Sequence, residues 1–334
     1  MARESANDEV VAAALCNLGS GAGEVRRYPT AERWLRATID WCAERDLDTN
    51  HVYSLAWLAR VQFERGEWSP ALRSATQVMR SGTGYVPAII VALTVLGRLR
   101  ARRGDPDPGA PLDEAWELAS LTGDLQRTWP VAAGRAEAAY LRGDAHAIPG
   151  LVREVFDLAV TLGHAWAIGE LGYWLWRAGA LEDPPATAPG PYAAQIAGRP
   201  GAAAAAWRDL GCPYEAAVAL ADGGPDDLAT AYEELGRLGA WPAAGSVARQ
   251  LRELGHRRLA PLPRRRTTMD NPAQLTGRQL EVLRLICAGL RNEDIGLRLH
   301  ISSKTVAHHV SAILAKLGVT SRGEARTAAE RLLS

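Results

Sequence analysis

The segment ISSKTVAHHVSAILAKLG, Ile301 to Gly318, places an adjacent histidine pair, His308 and His309, between Lys304 and Lys316, the only two lysines of the 334-residue chain. Paired histidines can hold a metal or move protons, and lysines near a helix start can hold phosphate. Helix geometry decides between these chemistries. Chelating histidines on one helix need i, i+3 or i, i+4 spacing, whereas side chains at i and i+1 point about 100° apart. Three or four residues from either histidine stand Lys304, Thr305, Val306, Ser311, Ala312 and Ile313. None is a metal ligand of the required kind, and none is a carboxylate that could orient an imidazole for acid–base work. No metal site and no catalytic residue is therefore assigned here, and a polyanion is the expected partner.

A helical projection at about 100° per residue sorts the segment further. Val306, Val310, Ile313 and Leu317 cluster on one side, with Leu314 at its edge, and this side is expected to pack inward. Lys304, Ala307, His308, Ser311 and Ala315 lie opposite, a small and polar stripe able to enter a major groove about 12 Å wide. On this reading Ala307, His308 and Ser311 face bases, while Lys304, Thr305, His309 and Lys316 lie at or near phosphate.

Such a helix has to be held by neighbours, and the flanking sequence supplies them. Thr276 with Gln279 reads as a capping box opening TGRQLEVLRLICAGL, whose Leu280, Leu283, Ile286 and Cys287 share a face before Gly289 ends the helix. Asn292 reads as the cap of NEDIGLRLH, with Glu293 and Asp294 placed well against the helix dipole. Ser302 caps the third helix after the ISS turn, and Ser321 with Glu324 opens SRGEARTAAERLL. Four short helices, the middle two joined by a tight turn, form a DNA-binding helix-turn-helix arrangement.

The charge distribution agrees. From Met1 to Gly255 there are 24 basic and 32 acidic residues, a balance of −8, and from His256 onward 14 basic and 6 acidic, a balance of +8. An acidic body thus carries a basic module. Of 38 basic residues 36 are arginine, so nothing before Lys304 can supply the lysine of a phosphate-binding loop or of Schiff-base chemistry. Cys16, Cys42, Cys212 and Cys287 are widely spaced, which predicts buried thiols rather than a disulfide or zinc framework. The opening MARESANDEV lacks signal-peptide features and no run of 18 apolar residues occurs, so a cytoplasmic protein without membrane contact is expected.

From about Asp8 to Gly255 the pattern is helical nearly throughout. Val52, Leu55, Ala56, Ala59 and Phe63 share a helix face; after Gly66, Ser69 reads as an N-cap with Pro70 at the first helical position of a second helix bearing Ala71, Leu72, Ala75, Val78 and Met79. The hairpin recurs at Gly104, Gly143 and Gly179, with a weaker copy, EVRRYPTAE, before the first. Repeats of this length cannot cover their own apolar faces and are expected to stack into a tetratricopeptide-like α-solenoid. All eleven tryptophans lie in it. Aromatics at helical spacing are ordinarily core, but in YWLW, Tyr173 to Trp176, consecutive rings cannot all face one way. Glu182 to Trp207 reads as a bend followed by short alanine-rich helices, and HRRLAPLPRRRTTMDNPAQ as a linker rich in proline and arginine.

Residues 275–328 resemble the LuxR-type (GerE-like) DNA-binding domain, through LTGRQLEVLRLICAGL, the Asn-x-Asp-Ile of 292–295, SSKTV and HVSAILAKLG. Gly277, Gln279 and Gly296 depart from the usual proline, glutamate and alanine. The resemblance implies base contacts from Ala307, His308 and Ser311, phosphate contacts from Lys304, Thr305, His309 and Lys316, and dimers, often through the last helix, on roughly two-fold DNA sites. The solenoid, with LGCPYEAAVALADG and LGAWPAAGSVARQLRELG, is similar to the C-terminal part of large ATP-binding, maltose-regulator-like LuxR proteins, without their nucleotide-binding module.

The expected protein is all-α: a helical-repeat domain at 1–255, a linker at 256–273 and a LuxR-type helix-turn-helix domain at 274–334. It is expected to be no enzyme and to need no cofactor. Its expected function is sequence-specific regulation of transcription, as an activator, with helix 303–317 in the major groove of double-stranded DNA and a homodimer on that DNA. A protein or small molecule is the expected partner of the repeats. The alternative is an interaction scaffold whose terminal domain has lost useful DNA affinity.

Overall fold

A computed structural model describes residues 2–256, 259, 262, 275, 277–299 and 302–333, the side chains of 2–6, 277 and 330–333 aside. The described residues form helices and no strand, and the chain divides into two compact units, Met1–Pro261 and Leu262–Ser334. The linker read at 256–273 lies mostly outside the described residues. No helix among the described residues is long and apolar enough to cross a membrane.

The first unit opens with nine α-helices: α1 (Ala2–Glu24), α2 (Tyr28–Ala43), α3 (Asp48–Glu64), α4 (Trp68–Arg80), α5 (Val86–Arg103), α6 (Gly109–Ser120), α7 (Leu125–Leu141), α8 (Ile148–Leu162) and α9 (Ala165–Arg177). Each packs on the next, and α1, α3, α5, α7 and α9 also pack on one another in succession. The odd-numbered helices thus form an inner row and the even-numbered ones an outer row. An inner helix has neighbours on most sides: 12 of the 17 residues of α3 are buried. Val52, Leu55, Ala56, Ala59 and Phe63 are buried as their spacing predicts, but so are Trp57, Leu58, Arg60 and Val61. On the outer α4, Ala71, Ala75 and Val78 are buried, while Leu72 and Met79 reach solvent.

The start of α4 differs from the sequence reading. Its N-cap is Glu67, without a side-chain cap, and Ser69 and Pro70 lie inside the first turn. Proline is equally compatible there because the first-turn amides have no intrahelical acceptor. The turn glycines Gly66, Gly104, Gly143 and Gly179 close α3, α5, α7 and α9 with φ of 76°, 66°, 83° and 69°. In the weaker copy Arg26 takes this left-handed conformation, at φ 60°.

Five shorter helices follow the irregular stretch after α9: α10 (Gly190–Ile196), α11 (Pro200–Asp209), α12 (Pro213–Leu220), α13 (Pro225–Leu238) and α14 (Trp241–Glu253). They bring the chain back onto its earlier helices. α14 packs on α5, the Trp68 and Tyr214 rings lie 5.9 Å apart, and Arg102 on α5 reaches Glu215 on α12 at 2.8 Å.

A chain of alternating charges runs through this interior. Arg60 pairs with Glu64 (3.1 Å), Glu64 with Arg26 (3.2 Å), and Arg26 with Glu170 (3.9 Å). Glu170 continues to Arg98 (3.0 Å), Arg98 to Glu137 (2.7 Å), Glu137 to Arg102 (2.7 Å), and Arg102 to Glu215. Four guanidiniums and four carboxylates therefore balance, as burial of charge requires. Tyr28 accepts from Arg26 and donates to Glu64. Burial alone would raise the Glu64 carboxyl, but the charges of Arg26 and Arg60 and these hydrogen bonds hold it at about 2. Of the cysteines, Cys16, Cys42 and Cys212 are buried, whereas Cys287 is only half-buried.

Candidate nucleic-acid interface

The second unit contains α15 (Gly277–Cys287), α16 (Asn292–Leu299), α17 (Ser303–Leu317) and α18 (Arg322–Leu333). α17 packs on the other three. One apolar cluster holds them: Leu275, Val282, Leu283, Ile286, Ile295, Val306, Ile313, Ala325 and Ala329 are buried, with Leu280, Cys287, Val310, Leu314 and Leu317 partly buried around them.

Local signals fix where each helix starts and stops. Ser302 Oγ accepts from the Thr305 amide at 3.1 Å and caps α17. Gly318, at φ 67°, ends it, and Gly289, at φ 82°, turns the chain after α15. At α18 the Ser321 hydroxyl accepts from the Glu324 amide, and Glu324 accepts from the Thr320 amide, which lowers the Glu324 carboxyl. Thr276 of the expected capping box lies outside the described residues; Gln279 Oε1 accepts from Lys316 Nζ at 2.9 Å.

The start of α16 is a correction. Asn292 is the first helical residue rather than the cap, and the amide of Arg291 is taken by Asp294 Oδ2 at 3.2 Å. Asn292 Oδ1 instead accepts from Arg322 Nη1 of α18 at 2.8 Å, while Arg322 Nη2 donates to the Leu290 carbonyl. A second arginine, Arg278, pairs with Glu281 at 2.7 Å and donates to the Leu299 carbonyl at 2.6 Å, tying α15 to the end of α16. Sequence reading missed both arginines. Their only signal is position in the first turn of a helix, where a cation opposes the dipole and needs another reason to be present.

On α17, Val306 and Ile313 are fully buried and Val310, Leu314 and Leu317 are half-buried. On the opposite side Lys304, Ala307, His308, Ser311 and Ala315 are all exposed. Thr305 and His309 are half-buried at the edges; Lys316 is exposed at the far end, its ammonium directed to Gln279. The residues read as base-facing thus form one exposed stripe, and those read as flanking lie beside or beyond it. His308 and His309 differ in exposure, in line with their 100° separation.

Residues 273–329 match the family model described as bacterial regulatory proteins, luxR family. Over 57 residues the chain is 47% identical to the transcriptional regulatory protein LiaR of Bacillus subtilis, 17% of this chain and 27% of that protein. It is 48% identical over 58 residues to a nitrate/nitrite response regulator protein homolog of Haemophilus influenzae, 17% and 28% of the two chains. The transcriptional regulatory protein DegU of Brevibacillus brevis is 51% identical over 51 residues, 15% and 22%. The chain thus spans about a quarter of the length of these curated relatives. That C-terminal unit is a LuxR-type helix-turn-helix domain.

Proposed function

We propose that the protein is a sequence-specific, DNA-binding transcriptional regulator of the cytoplasm, acting as an activator. The observation that carries this reading is the outward stripe of α17, where Lys304, Ala307, His308, Ser311 and Ala315 are exposed opposite a fully buried Val306 and Ile313. A helix held on three sides, with one small, polar face left open, suits insertion into a major groove. Ala307, His308 and Ser311 read base edges, and Lys304, Thr305, His309 and Lys316 meet phosphate. Residues 274–334 form the DNA-binding part, 256–273 the linker, and 1–255 the tetratricopeptide-like body that receives a signal or assembles with a partner. The names of the relatives, transcriptional and response regulators, support the same reading. A homodimer on DNA follows from the family resemblance.

Selection of DNA sites from a random pool by the purified full-length protein, with its oligomeric state recorded, tests this. A single enriched motif built of two related half-sites is expected, bound with an affinity that falls steeply with salt as counterions are released. No enriched motif, or an affinity flat between low and moderate salt, would instead favour an interaction scaffold.

A further inference from the structure

The return of α12–α14 onto the earlier helices leaves a half-open cavity of about 830 Å³ in the first unit. That is within the size range, roughly 300–1,000 Å³, of pockets that enclose a small organic molecule. We propose that this cavity is a binding site for an uncharged aromatic molecule carrying hydroxyl or carbonyl groups.

Three features of the wall argue for this class of ligand. The first is its aromatic content: Tyr173, Trp174, Trp176, Tyr192, Trp207 and Tyr214 all line it. The YWLW run of α9, anomalous as simple core packing, contributes three of these rings. Rings set edge to face, such as Tyr192 and Trp207 at 4.8 Å and 84°, form a wall that favours a flat apolar body through the same contacts aromatic side chains make with one another.

The second feature is charge. Arg98, Arg102, Glu137, Glu170 and Glu215 line the cavity, but they are links of the alternating chain and are already matched to one another. Arg177, also on the wall, is held by both oxygens of Asp222 at 2.6 Å, and the remaining arginines of the lining, Arg142 and Arg249, are exposed to solvent. An anion brought to Arg102 would lie against Glu137 and Glu215, and a cation brought to a carboxylate would lie against the arginine that holds it. Beside these buried groups either would lie in low-dielectric surroundings without a partner of its own, which is strongly unfavourable. A neutral molecule meets no such opposition.

The third feature is the polar side chains on the α14 part of the lining. Ser246 and Gln250 stand there beside the rings. A hydroxyl and a carboxamide can each donate and accept, which suits a ligand bearing hydroxyl or carbonyl groups.

The test compares two probes built on one ring system, neutral N-phenylnaphthylamine and anilinonaphthalene sulfonate, whose added sulfonate is anionic. Each is titrated into the full-length protein, with binding read from probe emission and from quenching of the tryptophans, three of which stand in the wall. The neutral probe should saturate at one molecule per chain and bind at least about tenfold tighter than the sulfonate, a modest difference beside the opposition an unpaired buried charge meets. Ser246→Trp, which brings an indole into the cavity from α14, should weaken the neutral probe at least about tenfold with helical circular dichroism unchanged. Should that variant fail to fold, Ala243→Leu, a smaller filling of the same wall, should weaken it at least about threefold. Absence of saturable binding by the neutral probe overturns the proposal. So does equal or tighter binding of the sulfonate, or wild-type affinity in the folded filling variant.

Discussion

Arg322, in the first turn of α18, donates to Asn292 Oδ1, at the first turn of α16, over 2.8 Å, and its other nitrogen reaches the Leu290 carbonyl. One guanidinium therefore sets the entry to the helix that precedes α17. Arg322→Ala should destabilise the C-terminal unit by about 1.5–3 kcal/mol, the range for hydrogen bonds to a charged group. Hydrogen-exchange protection of the α16 amides should fall, and DNA affinity should drop for all sequences alike. Arg322→Lys should recover little, because an ammonium cannot fork to two acceptors in a fixed plane. Unchanged α16 protection in Arg322→Ala would refute this positioning role.

His308 and Lys304 share the open face of α17 but should fail differently. On the proposed reading, His308→Ala changes which bases are preferred, with a discrimination loss of about 1–3 kcal/mol at one position of the half-site. Lys304→Ala should weaken all sequences and reduce the salt slope by about 1. Binding measured at several salt concentrations on a panel of single-base variants separates the two. A uniform effect from His308→Ala would remove it from the base-reading set.

The Glu64 carboxyl gives the first unit an acid limb of known sign. Its value in the folded chain, about 2, lies below the ordinary 4.5. Its stabilising effect is therefore complete above about pH 4.5 and is lost as the pH falls from there through about 2. Urea midpoints should decline across that window. Glu64→Gln should lower the neutral-pH plateau by about 3–5 kcal/mol, since Arg26 and Arg60 lose a buried counter-charge, and should flatten the decline. Parallel acid limbs in the two proteins would show that Glu64 does not govern it.

Gly66 and Gly143 occupy equivalent turns in different surroundings. A Cβ on Gly66 would lie 2.7 Å from Pro213 Cγ of α12, whereas one on Gly143 meets nothing within 4 Å. Gly143→Ala should cost about 1–2 kcal/mol, from the left-handed backbone alone. Gly66→Ala should cost about 1–3 kcal/mol more, through overpacking where the chain returns on itself. Thermal unfolding of the two variants measures the difference, and equal losses would mean that α12 yields freely.

Much of the fold was legible in the sequence because its signals are local. The turn glycines, the Ser302 cap and the inward apolar side of α17 depend on residues within a few positions of one another. What was not legible depends on the return of the chain. Leu72 and Met79 carry the right period for burial, but an outer-row helix has fewer neighbours to cover them. Asn292 is a good cap by type, yet Arg322, thirty positions later, claims its carbonyl oxygen. The charge chain left a trace that periodicity alone does not interpret. Arg60, Arg98 and Glu137 each stand six residues before a turn glycine, on helices otherwise apolar at that phase. Which carboxylate meets which arginine is decided only when α12 comes back to α5.

Arg26 has a further consequence for how such an array can change over time. An open solenoid gains or loses a hairpin at little cost, since each hairpin answers only to its neighbours. Here a side chain at the turn between α1 and α2 is tied to Glu64 of α3 and lies 3.9 Å from Glu170 of α9, and Tyr28 beside it touches Cys212 ahead of α12. Deleting a hairpin would shift the phase of all that follow, and loss of α5 and α6 would also take Arg98 and Arg102 together, leaving Glu137 and Glu215 without counter-ions. The number of hairpins is thereby constrained, and change in this part of the molecule favours substitution at fixed length.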